Sequence, residues 1–259
     1  MKIFILCGGS GTRLDSLGKV IAKPMVRIGK EPMLKHIIDN FVSQKLNEFV
    51  LCTGHKANTI LDYFIKEKKK FVKIISKKKN NIEILYKDNK KKFICNLVYT
   101  GKDTGTGGRI KLAYKILKLN EDIFMTYGDG LSNINIKRLI NFHYKHKSDV
   151  TMTAVRPKHK YGIIKIKNKQ IYSFDDSKSG KSTSFINGGF FVISKDSLKL
   201  IKDIKMFWEN EPLKKAITKG KTYAFKHNGF WQSVDTLKDL SELNELYKKK
   251  LMPWIYCEK

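Results

Sequence analysis

The sequence has no apolar run approaching the roughly 20 residues a membrane-spanning helix requires. Only one lysine precedes the first strand-length apolar stretch, so no secretory signal is expected, no membrane partner is expected, and the cytoplasm is the expected compartment. The four cysteines, Cys7, Cys52, Cys95 and Cys257, contain no C-x-x-C pair. A disulfide framework and a zinc site are therefore disfavoured, leaving reduced, partly buried thiols. Acidic residues are scarce: 24 Asp and Glu stand against 52 Lys and Arg, a formal net charge of +28. Such a balance would ordinarily raise nucleic-acid binding. Yet arginine, which supplies bidentate base and phosphate contacts, is scarce too. The lysines are scattered through every segment, with short runs at 68–70, 77–79, 90–92 and 248–250. A solvated lysine coat that draws an anionic substrate is the better reading, and no nucleic-acid partner is expected.

What is present is concentrated in the first twenty-five residues. Ile3-Phe4-Ile5-Leu6-Cys7 reads as a buried strand and breaks into Gly8-Gly9-Ser10-Gly11-Thr12-Arg13-Leu14, then Lys23-Pro24-Met25. Glycines let a backbone approach a ligand closely, successive N–H groups make an anion site, and Arg13 and Lys23 add charge. A polyphosphate is the implied ligand. The third glycine of a dinucleotide fingerprint is missing, because Leu14 stands there, and the Walker Gly-Lys-Ser/Thr is absent.

At 259 residues the chain suits one large α/β domain or one domain with an appendage. Amphipathic spacing predicts helices over 31–45 and 58–68 around a strand at 49–52, a rhythm that implies βαβ units and a parallel sheet. The lysine-rich stretch 69–99 holds two possible strands, around 82–85 and 94–98. Two readings stay open for it: a β excursion over the site, or oligomer surface.

Thr100 to Arg109 is a second glycine-rich loop opening a helix, whose exposed N–H groups could read a base or phosphate. Strand 123–127 runs into Gly128-Asp129-Gly130, placing a carboxylate where open α/β sheets bind ligands and making Asp129 a candidate magnesium ligand. Tyr161 to Phe174 alternates like a hairpin. His143, His146 and His159 read as surface residues. Asn187-Gly188-Gly189 interrupts an apolar strand, for close approach of a ligand or as a β-bulge. Trp208 and Trp231 are either core or stacking residues. Asp235-Thr236 is open to the plain reading of an N-cap for the helix 237–247. The tail 251–256 docks on the body or on a neighbouring subunit.

Taken in order, the first loop, Lys23-Pro24-Met25, the second loop, Tyr127-Gly128-Asp129-Gly130, Ile186 to Phe191, Trp208 to Leu213 and Gly229 to Gln232 with Asp235-Thr236 resemble the sugar-phosphate nucleotidyltransferases over nearly the whole chain. The likeness is greatest to the branch that uses CTP and glucose 1-phosphate. It implies a Rossmann-like α/β fold with a mostly parallel sheet flanked by helices and a β excursion. It implies one nucleotidyltransferase domain over 1–259, with a β insertion at about 69–99 and an acceptor-binding half from about 150.

The resemblance also implies the site. Arg13 and Lys23 would hold the triphosphate; Leu6, Gly8, Gly9, Ser10, Gly11, Thr12, Thr106, Gly107, Gly108 and Asp129 the nucleotide; Asn187, Lys178, Glu209 and Trp231 the acceptor; Asp129 and Asp235 a magnesium ion. The implied partners are CTP and a small phosphorylated acceptor, in a homo-oligomer. A phosphate monoester is already a nucleophile at neutral pH, which accounts for the lack of a Ser-His or Cys-His pair. One departure stands out: the family's Glu-Lys-Pro after the hairpin is replaced by Asp175-Asp176-Ser177-Lys178. Either Lys178, one position late, substitutes, or the acceptor differs, as in the related branch of capsular phosphoramidate synthesis that takes L-glutamine phosphate.

Overall fold

The computed structural model describes residues 1–9, 21–157, 163–167, 170–175 and 184–257, with 163–167 and 170–175 described by backbone alone. In chain order the strands are β1 (Ile3–Cys7), β2 (Arg27–Ile28), β3 (Glu31–Pro32), β4 (Glu48–Thr53), β5 (Val72–Lys78), β6 (Asn81–Lys87), β7 (Lys92–Tyr99) and β8 (Ile123–Tyr127). They continue with β9 (Gly130–Ser132), β10 (Val150–Val155), β11 (Ile163–Lys167), β12 (Gln170–Asp175), β13 (Ile186–Ile193), β14 (Thr222–His227) and β15 (Trp231–Ser233). The helices are α1 (Met33–Ser43), α2 (Ala57–Asp62), α3 (Thr106–Ile116), α4 (Ile136–Lys145), α5 (Lys195–Leu198), α6 (Glu211–Thr218) and α7 (Leu237–Lys248).

Nine strands form one sheet in the order β14-β10-β13-β8-β1-β4-β7-β6-β5. Only β6 and β13 run against the rest, so the sheet is mostly parallel and flanked by helices, as the sequence implies. All five residues of β1 are buried, which is why its sequence is continuously apolar rather than alternating. Its side chains still divide by face: Ile3, Ile5 and Cys7 join the core beneath α1, while Phe4 and Leu6 join the core beneath α3 and α6. No helix among the described residues is long and apolar enough to cross a membrane.

The lysine-rich stretch contains three strands rather than two. β5, β6 and β7 continue the central sheet to its edge, with four strands between β5 and β8, instead of lying over the site. β5 escapes a periodicity reading because an edge strand, Val72-Lys73-Ile74-Ile75-Ser76-Lys77-Lys78, stays largely exposed and needs no apolar face. The short ribbon β9/β15 is likewise below the length at which alternation is legible.

Other open readings resolve in space. The tail docks on the body: Trp254 is buried, meets His36 edge-on at 5.7 Å and lies 6.1 Å from Phe230. Trp208 is fully buried against Phe191 and is a core residue. His143, expected at the surface, is buried, with its Nδ1 2.9 Å from the Thr151 hydroxyl, and desolvation pushes its pKa down. His146 is exposed as expected, and His159 lies outside the described residues. The cysteines are all free, and burial raises the Cys52 thiol to about 12, as inert core thiols require.

Candidate active site

The first parallel strand ends at Leu6 and Cys7, and β8 beside it ends at Tyr127 in the same direction. Gly128 closes this junction: its N–H donates to the Leu6 carbonyl at 3.1 Å, and a Cβ there would lie 2.6 Å from Pro24. Pro24 belongs to a single 3-10 turn, Lys23–Met25, so its packing on Gly128 carries Lys23 to the mouth of the junction. On the other side, the β9/β15 ribbon pairs Gly130 with Ser233, and the Val234 N–H donates to Asp129 O at 2.8 Å, so Asp235 lies one residue beyond Asp129's partner. Lys23 Nζ reaches Asp129 Oδ2 at 2.7 Å and Asp235 Oδ1 at 3.0 Å. Burial alone would lower the Lys23 pKa, but the two carboxylates outweigh it and the net shift is upward.

The N-cap question separates into two residues. Thr236 is the N-cap of α7 and forms a capping box with Asp239. Asp235 instead turns toward the junction, where its side chain accepts from Ser233 and from Lys23, which places two acidic groups around one cation. Two carboxylates meet magnesium's preference for hard oxygen donors, with the remaining positions left to phosphate oxygens and water. Among the described residues no three His, Cys, Asp or Glu side chains cluster to enclose a metal unaided.

The glycines of the first loop differ in purpose. A Cβ on Gly8 would lie 2.2 Å from Arg109, whereas no atom of the described residues lies within 4 Å of one on Gly9. Arg109 is buried and, among the described residues, donates to five oxygens: Gly8 O at 2.8 Å, Gly101 O at 2.7 Å, Lys102 O at 3.0 Å, Thr100 Oγ1 at 2.9 Å and Thr53 O at 3.5 Å. One guanidinium thus ties the end of β4, the first glycine loop and the second. Gly54 is glycine for the same reason, since a Cβ there would meet Arg109 at 2.2 Å.

At the second loop the structure corrects the reason for the glycines. Gly107 and Gly108 are buried, and the Gly108 N–H donates to Met206 O at 3.1 Å rather than outward as a free donor. A Cβ on Gly108 would lie 1.7 Å from Ile204 O, so this is a crossing point of two backbones. Gly108→Ala is therefore expected to lower stability by about 3 kcal/mol or more through displaced backbone, measured by chemical denaturation. Glu209 also differs from expectation: it accepts from Tyr127 OH and, at 2.6 Å, from Thr106 Oγ1, and stands behind the cavity wall rather than in it.

The cavity beside the acidic pair has a volume of about 280 Å³. Tyr127, Asp129, Asn187, Gly188, Trp231 and Asp235 are among its walls. Asn187 to Gly189 combines both readings left open by the sequence. A register shift opposite Met152 and Ala154 marks a β-bulge, and the bulged residues line the cavity. Gly189 has φ +78° and receives the Tyr127 ring, 2.6 Å from where a Cβ would stand. Asn187 Oδ1 accepts the Gly189 N–H at 2.8 Å, and Trp231 Nε1 donates to Gly188 O at 2.7 Å, bracing the bulge from both ends.

The profile of the nucleotidyl transferase family matches residues 2–250. The chain belongs to the nucleotidyl transferase family. It is 37% identical over 255 residues to a glucose-1-phosphate cytidylyltransferase of Salmonella typhimurium, covering 98% of each chain. It is 34% identical to a probable glucose-1-phosphate cytidylyltransferase of Bacillus subtilis, over 98% of this chain and 99% of that one. Among solved structures, HddC from Yersinia pseudotuberculosis complexed with GMP-PN superposes with a TM-score of 0.70 at 25% identity, over 95% of this chain and 99% of that one.

In this nucleotidyl transferase, Lys23, Asp129 and Asp235 meet directly, and Asn187 and Trp231 share the adjoining cavity. Ser10, Gly11, Thr12, Arg13 and Lys178 lie outside the described residues. Leu6 is buried, with its carbonyl committed to Gly128. Sequence reasoning missed the role of Arg109. The signal was an arginine directly after the second glycine pair in a chain where lysine far outnumbers arginine.

Proposed function

We propose that this nucleotidyl transferase moves CMP from CTP to glucose 1-phosphate with release of pyrophosphate. The observation that carries the reading is the convergence of Asp129 and Asp235 on one cation, Lys23, at the edge of a cavity of about 280 Å³. The names of the 37% and 34% identical relatives support the base and the acceptor. A phosphate oxygen of the acceptor attacks the α-phosphorus, one P–O bond forms in line as the bond to pyrophosphate breaks, and no covalent enzyme intermediate is needed. Asp129 and Asp235 would hold magnesium, which supplies charge neutralisation at the phosphates. Lys23, with Arg13, offsets the charge that grows on the leaving pyrophosphate. Trp231 and Asn187 form the acceptor's walls, and Gly9 leaves room for the nucleotide. Lys178 is assigned to the acceptor's phosphate.

The departure at 175–178, where the usual Glu-Lys-Pro is missing, leaves L-glutamine phosphate as the second reading of the acceptor. A pyrophosphate-release screen separates the two. CTP, UTP, dTTP, ATP and GTP are each paired with glucose 1-phosphate, L-glutamine phosphate and polyol phosphates. The expected outcome is a kcat/KM for CTP with glucose 1-phosphate at least about a hundredfold above glucose 1-phosphate with any other base, the discrimination that hydrogen-bonded base recognition supplies, and above CTP with every other acceptor. Preference for L-glutamine phosphate would transfer the assignment to that acceptor. Preference for another base would refute cytidylyl transfer.

A further inference from the structure

Glu209 follows the buried Trp208 on the segment that leads into α6, and it has no place in the cavity wall. Both its oxygens accept from hydroxyls, one from Tyr127 and one, at 2.6 Å, from Thr106. Thr106 Oγ1 also accepts the Trp208 N–H at 2.8 Å, so the Thr106 proton is directed to Glu209. The Tyr127 hydroxyl is the donor in its bond, because a carboxylate has no proton to give. On the cavity side, the Asn187 side chain interacts with the Tyr127 hydroxyl, and the Tyr127 ring rests on Gly189. On the other side, Thr106 opens α3, whose Arg109 reaches Gly8 at 2.8 Å. A continuous line of contacts thus runs from the cavity through Glu209 to both glycine loops.

We propose that Glu209 is a positioning residue that touches neither substrate. It acts on the acceptor through Tyr127 and on the nucleotide side through Thr106, so that one carboxylate fixes the two halves of the site relative to each other. The proposal rests on the reading of the cavity as the acceptor site. A carboxylate is required because it accepts from two hydroxyls and donates to neither. A glutamine of the same size offers one acceptor and one donor, so one hydroxyl must lose its partner or turn away.

The test compares the wild type, Glu209→Gln, Tyr127→Phe and the double variant, by KM and kcat with glucose 1-phosphate and CTP. Glu209→Gln is expected to raise the acceptor KM about tenfold, the scale of one charged hydrogen bond lost, and Tyr127→Phe comparably. Because both remove the same link, the double variant should rise no more than about twofold beyond either single one. Multiplying effects would mean that Glu209 contacts the acceptor itself, and would overturn the proposal. So would a Glu209→Gln enzyme whose melting temperature falls while its KM is unchanged. A second readout needs no reaction: amide hydrogen exchange over 106–109 without substrates is expected to quicken about tenfold in Glu209→Gln. Unchanged exchange would overturn the link to Thr106. If the wild type turns over no acceptor, the proposed reaction fails, while the exchange result still decides the role of Glu209.

Discussion

Asp235→Asn is expected to reduce pyrophosphate release from CTP and glucose 1-phosphate by about a thousandfold or more, and Asp129→Asn to do the same. The magnitude follows from the several kcal/mol of charge stabilisation a metal supplies at a phosphoryl centre, each 1.36 kcal/mol being tenfold in rate. The fold should survive. Lys23 keeps one of its two carboxylate partners in either variant, and Thr236 with Asp239, not Asp235, caps α7. The loss in stability should be about 1 kcal/mol, or ~2–4 °C in melting temperature for a chain of this size. A thermal scan alongside the rate assay separates these effects. A variant with wild-type turnover would remove its carboxylate from the chemistry, and one that melts ten degrees lower would make it a fold determinant instead.

Arg109→Ala should affect stability most. The substitution takes the guanidinium donor from the carbonyls of Gly101 and Lys102, leaves the Gly8 carbonyl with only the His55 N–H, and opens a cavity at the meeting of three segments. The lost charged hydrogen bonds and a large-to-small cavity together correspond to about 3–5 kcal/mol. Arg109→Lys should recover little, because an ammonium has three donors on one centre and cannot span carbonyls set around a planar fork. Chemical denaturation measures the loss, and CTP titration of whatever remains folded should show weakened binding, because Gly8 is no longer tied to the second loop. Full recovery by Arg109→Lys would show that charge rather than the fork holds the loops.

The parts of the fold legible in the sequence are those buried on both faces or periodic over several turns. β1 and β8 read as strands from largely apolar runs stopped by glycine, and α1 from helical spacing. The edge strands β5 and β14 did not announce themselves, because their exposed positions impose no apolar face. His143 misled because a histidine near lysines reads as surface, while its burial depends on Thr151 on a strand that follows the helix.

The site was legible in identity more than in mechanism. Asp129 and Lys23 could be singled out in one dimension. Their meeting with Asp235 depends on the ribbon of β9 and β15 and on Pro24 seated over Gly128, neither of which has a periodicity. Gly107 and Gly108 looked like ligand glycines for the same reason that crossing glycines do: both need a missing Cβ, and only the partner differs, here the backbone of 204–206.

The central claim is that this chain transfers a cytidylyl group between two anionic phosphates held around Asp129 and Asp235. The most direct measurement is phosphorus NMR of the purified protein with CTP, glucose 1-phosphate and magnesium. The account predicts a new pair of diester phosphate signals for CDP-glucose, growing in a one-to-one ratio with pyrophosphate and absent in Asp235→Asn. Unchanged CTP, or CTP hydrolysed to CDP and inorganic phosphate with the sugar phosphate untouched, would contradict it.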